Sequence, residues 1–350
     1  MISREIYLSS RPNGKPTLQD FGIRATEIPE VSAGQVVIRN LFLSVDPGWR
    51  LLFNDEGIYD EQLLASHHVT PPVLGLGDCI PGFTLGEVIA SRNQKFPLGA
   101  IVIHQQGWQE YSHLDDATKF APMATIDPHC SLPLSYYLGP LGQNGFTAWL
   151  GLLDIGNIKE SDTVFISAAS GATGHLAGQI AKLCGAARVI GSTSAASNAS
   201  KLREIGFDVV IDRRGGNIAS KLSSAAPDGI DLYFDGVGGE HLAAALRCLK
   251  PGGRAILSGA ITSYNDPRPH RELIGVPELP VIMKGLTIRG FRVFENMHHW
   301  EAFAKEMTKW LSSNEIQAEE TVYHNITSAP QAFVDLFTDG AKFGKSIVKL

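Results

Sequence analysis

Thr163-Val164-Phe165-Ile166-Ser167-Ala168-Ala169-Ser170-Gly171-Ala172-Thr173-Gly174 is the stretch whose reading decides the fold. A β-branched, apolar strand runs into a turn of small residues, and a helical segment, His175–Leu183, follows. The spacing A-x-x-G-x-x-G is a variant of the dinucleotide fingerprint, with Ala168 in place of the first glycine. Small residues permit a tight turn and let the backbone approach a pyrophosphate, which then faces the amides and dipole of the helix N-terminus. Ala168, Ser170, Gly171, Ala172, Thr173 and Gly174 are therefore the candidate pyrophosphate cradle. A glycine pattern alone also fits an ordinary turn. Its place between a strand and a helix, with a sheet following, points to a cofactor.

Working outward, apolar runs of strand length alternate with helical stretches, the pattern of βαβ units around a parallel sheet. Strands are predicted at Thr163–Ser167, Arg188–Gly191, Val209–Asp212, Asp231–Asp235, Arg254–Ser258 and Thr287–Gly290. Helices are predicted at His175–Leu183, Ala195–Ile205, Ile218–Ala225 and His241–Leu249, with glycine stop signals at Gly185 and Gly206. Six strands with interleaved helices make a doubly wound α/β sheet of the Rossmann type.

The second strand leads into Ser192-Thr193-Ser194, about twenty residues beyond Gly171, where an NAD site expects an acidic residue on the ribose. None is present. Hydroxyl residues leave room for a 2′-phosphate, and Arg213 and Arg214 stand at the end of the third strand to supply charge. The expected cofactor is NADPH rather than NADH; the competing use of the two arginines is a solvated turn.

The first part of the chain, to about residue 125, reads as all-β, with short β-rich runs separated by Gly, Pro and Asn turns. The tail adds amphipathic helices around Trp300–Leu311 and Ala329–Phe337 and a closing strand, Ser346–Lys349. A chain of 350 residues is long for one core, so two domains are expected. With 44% hydrophobic and 19% charged residues the chain is globular in composition, and a net charge of −6 with no basic block argues against a nucleic-acid partner. No apolar run reaches membrane-span length and no secretory leader is apparent. Cys79, Cys130, Cys184 and Cys248 are scattered, which fits free thiols in a cytoplasmic protein better than a disulfide framework or zinc spacing.

Several stretches taken together carry a family resemblance: Leu8–Gly14, Leu43-Ser44-Val45-Asp46-Pro47, Gly145–Leu152, Ser167–Gly174, Asp235–Gly239, Gly259–Asn265 and Phe343-Gly344-Lys345. The chain resembles the zinc-free medium-chain dehydrogenases/reductases of the prostaglandin reductase, alkenal reductase and curcumin reductase branch. The resemblance implies a GroES-like, mostly β catalytic domain from residues 1–127 and 297–350, around a Rossmann domain of residues 128–296. It further implies a homodimer and NADPH-dependent reduction of the C=C bond of α,β-unsaturated ketones or aldehydes. The Gly-His-Glu context of a zinc alcohol dehydrogenase is missing; Pro81-Gly82-Phe83-Thr84-Leu85-Gly86-Glu87 stands where it would be sought, and His67, His68 and Cys79 lie outside such a motif.

Without a metal, placement of the cofactor and a donor for the developing enolate oxygen carry the chemistry. By resemblance Tyr264 is the first donor candidate and also touches the cofactor, and Tyr59 is the second. The bland alternative for both is a loop tyrosine packing its ring. Phe291 and Val293 would present backbone groups to the nicotinamide amide. The chain departs from the family at four places. Gly48, followed by Trp49 and Arg50, replaces the tyrosine after Asp-Pro, which reshapes the substrate pocket. Gln143-Asn144 replaces Met-Pro, bringing Asn144 near the expected nicotinamide. Asn198 stands at the phosphate-binding lysine, and Lys342 replaces an asparagine before Gly-Lys. Other readings left open are a quinone reductase, a reductase dedicated to one biosynthetic intermediate, a zinc-independent alcohol oxidoreductase and a non-catalytic NADPH sensor.

Overall fold

The computed structural model describes residues 1–54, 73–115, 124–126, 131–266, 276–340 and 342–350. Tyr59, His67, His68 and Cys130 lie outside the described residues.

Strands β1 (Ile2–Leu8) and β2 (Phe21–Glu27) form an antiparallel pair. Next come β3 (Gln35–Ser44), β4 (Thr84–Ser91), β5 (Ile101–His104), β6 (Tyr111–Asp115) and β7 (Ala124–Ile126). They share a seven-stranded sheet with two strands from the far end of the chain, β14 (Glu320–His324) and β15 (Lys345–Lys349). Its order is β14-β15-β3-β4-β5-β7, with β6 also on β3, so β15 is the strand that attaches β14 to the rest. Beneath it Ile6, Leu43, Val45, Phe53, Trp108, Phe333 and Val348 form one buried cluster.

The middle of the chain folds as sequence predicts, into a six-stranded parallel sheet. Its strands are β8 (Thr163–Ile166), β9 (Arg188–Thr193), β10 (Val209–Asp212), β11 (Ile230–Asp235), β12 (Leu249–Leu257) and β13 (Thr287–Gly290). The order is β10-β9-β8-β11-β12-β13. Val164, Phe165 and Ile166 are all fully buried, as a central parallel strand covered on both faces requires. Succession reverses between β8 and β11, the switch point at whose carboxyl edge open α/β sheets bind ligands. The turn quoted above sits at that edge.

Three local differences from expectation have physical causes. The segment predicted as one helix over 195–205 is a 3₁₀ turn, Ala196–Asn198, followed by the helix Ala199–Glu204, and the buried Asn198 amide donates to Lys342 O at 2.8 Å. Strand β12 starts earlier than predicted, at Leu249, because it pairs with Ile230 before a register shift. A short helix, Glu278–Lys284, was not foreseen although Gly285, at φ +59°, is an ordinary stop signal. The helix Trp300–Ser312 packs Phe303, Met307, Trp310 and Leu311 into the same core as Phe146, Trp149 and Val164.

Candidate active site

The turn after β8 is as tight as its residues suggest. Ala168 takes φ +48°, a left-handed conformation that a first glycine would hold without strain. The Gly171 amide closes on Ala168 O at 2.8 Å and the Ala169 amide on Ser192 O at 2.8 Å. A Cβ on Gly174 would stand 2.3 Å from Ala168 O, so the first residue of the helix Gly174–Leu183 must be glycine for the helix to begin this close to the turn. Ser170 and Thr193 hydroxyls meet at 2.9 Å, and Asn144 reaches Thr173 Oγ1 at 3.4 Å from the helix Gln143–Trp149. Ala172 is half-buried at the head of the helix.

The neighbouring strand ends complete the edge. Ser192 Oγ is buried at the end of β9 and has no hydrogen-bond partner. Ser194 is half-buried beside it. Asp235, at the end of β11, is a hub that sequence reasoning quoted without giving it a role. Its Oδ1 accepts from Ser167 Oγ (3.0 Å), Tyr233 OH (2.7 Å) and the amides of Val237 (2.8 Å) and Gly238 (2.9 Å). Burial pushes the Asp235 carboxyl above its ordinary range, against the pull of those donors. This network fixes the 236–239 loop on the glycine turn. The loop after β12 lies on it in turn, with Ile261 N on Gly236 O (3.2 Å) and Thr262 Oγ1 on Val237 O (2.6 Å).

That second loop carries Tyr264. Its hydroxyl accepts the Ala260 amide at 3.2 Å, while Ile261 and Tyr264 pack against the core of the seven-stranded sheet. Trp49 packs on the same core, tilted against Phe83 at 6.4 Å, with its indole N–H buried and without a partner. Gly48 is exposed, and nothing lies within 4 Å of where a side chain would begin. Tyr264 and Trp49 thus meet one core, at the junction of the two sheets. Arg50 is used differently: fully buried, it donates to Asn54 Oδ1 (2.7 Å), Gly14 O (2.9 Å) and Pro12 O (3.2 Å), holding the N-terminal loop. Phe291 stands 2.9 Å from where a Gly151 Cβ would be, and Val293 is buried nearby in the parallel-sheet core.

The far end of the chain meets the glycine turn, through contacts that the sequence alone did not show. Gly344 N donates to Ser170 O at 2.9 Å and bridges Gly171. The next residue, Lys345, is buried and donates to Val45 O (2.8 Å) and Asp46 Oδ1 (2.7 Å), directly before Pro47-Gly48-Trp49. The cations near the expected 2′-phosphate position are engaged, Arg214 by Asp212 at 2.7 Å. Arg213 pairs with Asp339 at 2.5 Å, Lys201 with Glu319 at 3.4 Å, and Lys342 donates to Asp335 O.

The residues present fit a nicotinamide dinucleotide on two counts: the cradle that a Gly174 side chain would fill, and the orphaned Ser192 hydroxyl beside it. Among the described residues, no group of three or more His, Cys, Asp or Glu could hold a metal ion. The Cys79 thiol is pushed up to about 12 by burial and lies 3.8 Å from Ile80 O and Trp108 O, the environment of a protonated thiol.

Fold and site together define a dinucleotide-binding oxidoreductase of the Rossmann type with a second, mostly β unit. Residues 4–122 match the family described as the N-terminal domain of oxidoreductase, and residues 172–313 match the one described as zinc-binding dehydrogenase. The chain is 33% identical to NADPH-dependent curcumin reductase of Escherichia coli, covering 99% of this chain and 97% of that one. It is 35% identical to prostaglandin reductase 1 of Bos taurus, covering 96% and 95%. The crystal structure of CurA in complex with NADPH from Vibrio vulnificus superposes with a TM-score of 0.86 at 33% identity, over 99% of this chain and 98% of that one. The chain belongs to the medium-chain dehydrogenase/reductase family, in the branch of the curcumin and prostaglandin reductases.

Proposed function

We propose that this protein uses NADPH to reduce the C=C bond of α,β-unsaturated ketones or aldehydes. The observation that carries the reading is the position of Tyr264, whose loop rests on the dinucleotide edge while its ring packs into the core that also holds Trp49. NADPH, when bound, supplies the hydride for the β-carbon. The protein's part is then to stabilise the negative charge that grows on the carbonyl oxygen. Tyr264 is suited to that, since a phenol both accepts and donates: Ala260 N–H holds the oxygen in place, and the O–H is assigned to the enolate. Lys345 is a positioning residue; by tying Asp46 to the strand that abuts the glycine turn, it sets Gly48 and Trp49 relative to the cofactor edge.

The test is NADPH oxidation by the purified protein against 2-alkenals, cyclic and aryl enones and quinones, with NADH in parallel. Turnover of enones with NADPH is the expected result. Turnover of quinones alone would replace the reading by a quinone reductase, and NADPH binding with no acceptor reduced would leave a nucleotide sensor.

The working unit is a homodimer on this reading. Strand β13 is the edge of the parallel sheet and is largely exposed. The preceding helix, Glu278–Lys284, presents Leu279, Ile282 and Met283 to solvent, at 72%, 70% and 80% exposure. Residues spaced by three and four share one helix face, and an exposed strand edge beside such an apolar face is a natural self-pairing surface. Sedimentation is expected to give twice the 37.8 kDa chain mass, and Ile282→Asp to halve it. A monomeric wild type would sink the assignment. Cys79, Cys184 and Cys248 are free thiols, which supports a cytoplasmic setting.

A further inference from the structure

We infer that Asp339 is a specificity-determining residue that holds Arg213 in place of the cofactor's 2′-phosphate and is displaced by it. The inference rests on the NADPH reading above. Arg213 follows β10, and its amide donates to Thr193 O at 2.9 Å, so its backbone is fixed to the strand end where the adenine-side ribose of a Rossmann cofactor is read. Its guanidinium turns to Asp339 at 2.5 Å, in the segment following the helix Ala329–Leu336. Both side chains are about half exposed, at 44% and 54%, so the pair is weak and exchangeable. The arrangement is not confined to one pair. Lys201 meets Glu319, and Lys342 donates to Asp335 O and lies 3.9 Å from Asp335 Oδ2. Arg213, Lys201 and Lys342 are thus held by acidic residues of the C-terminal segment, and Arg214 by Asp212.

A carboxylate on Arg213 acts differently on the two cofactors. A ligand with a 2′-phosphate must take the guanidinium from Asp339 and sit near the displaced carboxylate, whereas a ligand with a bare ribose disturbs neither. Asp339 therefore moderates the very preference that Arg213 creates. Its removal tightens phosphate-bearing ligands selectively, without adding a contact.

The experiment is calorimetric binding of adenosine 2′,5′-bisphosphate and of adenosine 5′-monophosphate to the full protein, a readout independent of turnover. For Asp339→Asn the bisphosphate dissociation constant is expected to fall about three- to tenfold, the scale of one surface ion pair plus one relieved repulsion, while the monophosphate constant stays put. Arg213→Ala is expected to weaken the bisphosphate alone and, in the double variant, to shrink the effect of Asp339→Asn to the part owed to relieved repulsion. No change in Asp339→Asn, or an equal gain with Arg213 absent, overturns the inference. Failure of the wild type to prefer the bisphosphate would instead overturn the NADPH reading itself.

Discussion

Replacing Tyr264 by phenylalanine lowers kcat for an enone by about 10²–10³-fold, the effect of deleting one donor to a developing oxyanion. The ring remains, with its packing against the core of the seven-stranded sheet, so the loop keeps its place on Gly236 and Val237. What goes is one hydroxyl, and with it the acceptor for Ala260 N–H at 3.2 Å. Leaving that amide unsatisfied costs about 1 kcal/mol, too little to unfold a globular chain. The kinetic loss should therefore appear in kcat, with the melting temperature and NADPH affinity little changed. A variant that keeps kcat within a few-fold of wild type would remove Tyr264 from the chemistry and return it to the role of a packing residue.

Stability should fall steeply as pH drops below about 6.5, driven by buried histidines held neutral in the fold. Burial lowers His175 to about 4, His241 to about 4 and His104 to about 3. Hydrogen bonds fix the neutral forms. The Glu319 amide can only donate to His175 Nε2, at 3.4 Å, so Nδ1 carries the proton and donates to Gly171 O at 2.8 Å. Likewise the Gln106 amide donates to His104 Nδ1, and Nε2–H donates to Asn40 Oδ1 at 3.0 Å. A second proton on either ring would face an N–H.

The sign follows from the unfolded chain, whose histidines protonate near 6.5 while the folded ones do not until about 4 or below. Unfolding therefore takes up protons in that window, and stability present above pH 6.5 is lost as pH falls through it. At about 1.4 kcal/mol per pKa unit, a shift from 6.5 to about 4 amounts to about 3 kcal/mol for His175 alone. Asp235 and Glu320, raised by burial, oppose the trend. Urea unfolding at pH 7.5, 6 and 5 checks this. His175→Gln should be less stable at pH 7.5 yet show a flatter decline. A free energy of unfolding independent of pH over that range would contradict the argument.

The parallel sheet was legible because its information is local. A strand, a small-residue turn and a helix follow one another in sequence, and periodicity marks each. The setting of the glycine turn was legible for the same reason: Asn144 reaches Thr173 and Thr193 meets Ser170, while their part in holding a cofactor is a proposal. What escaped was tertiary. Nothing near Lys345 in the sequence announces Asp46, 299 positions away, and nothing near Arg213 announces Asp339. The sequence places Arg50 beside the expected pocket through its neighbours, whereas its two terminal nitrogens donate to Pro12, Gly14 and Asn54. A long cation can turn to either side of its chain, and only the packed neighbours decide which.

The place of β15 between β14 and β3 also dictates an order of events during synthesis. Residues 163–312 contain every strand of the parallel sheet and the helix Trp300–Ser312 packed on its core, so that unit can form before β14 and β15 are made. The other sheet has no such freedom. Its first strands are made early but must wait for Lys345–Lys349, some 300 positions later, before β14 is joined and Asp46 gains its lysine. Until that strand is made, the Phe42–Ser44 end of β3 lacks it as a partner, while β6 already covers Gln35–Arg39.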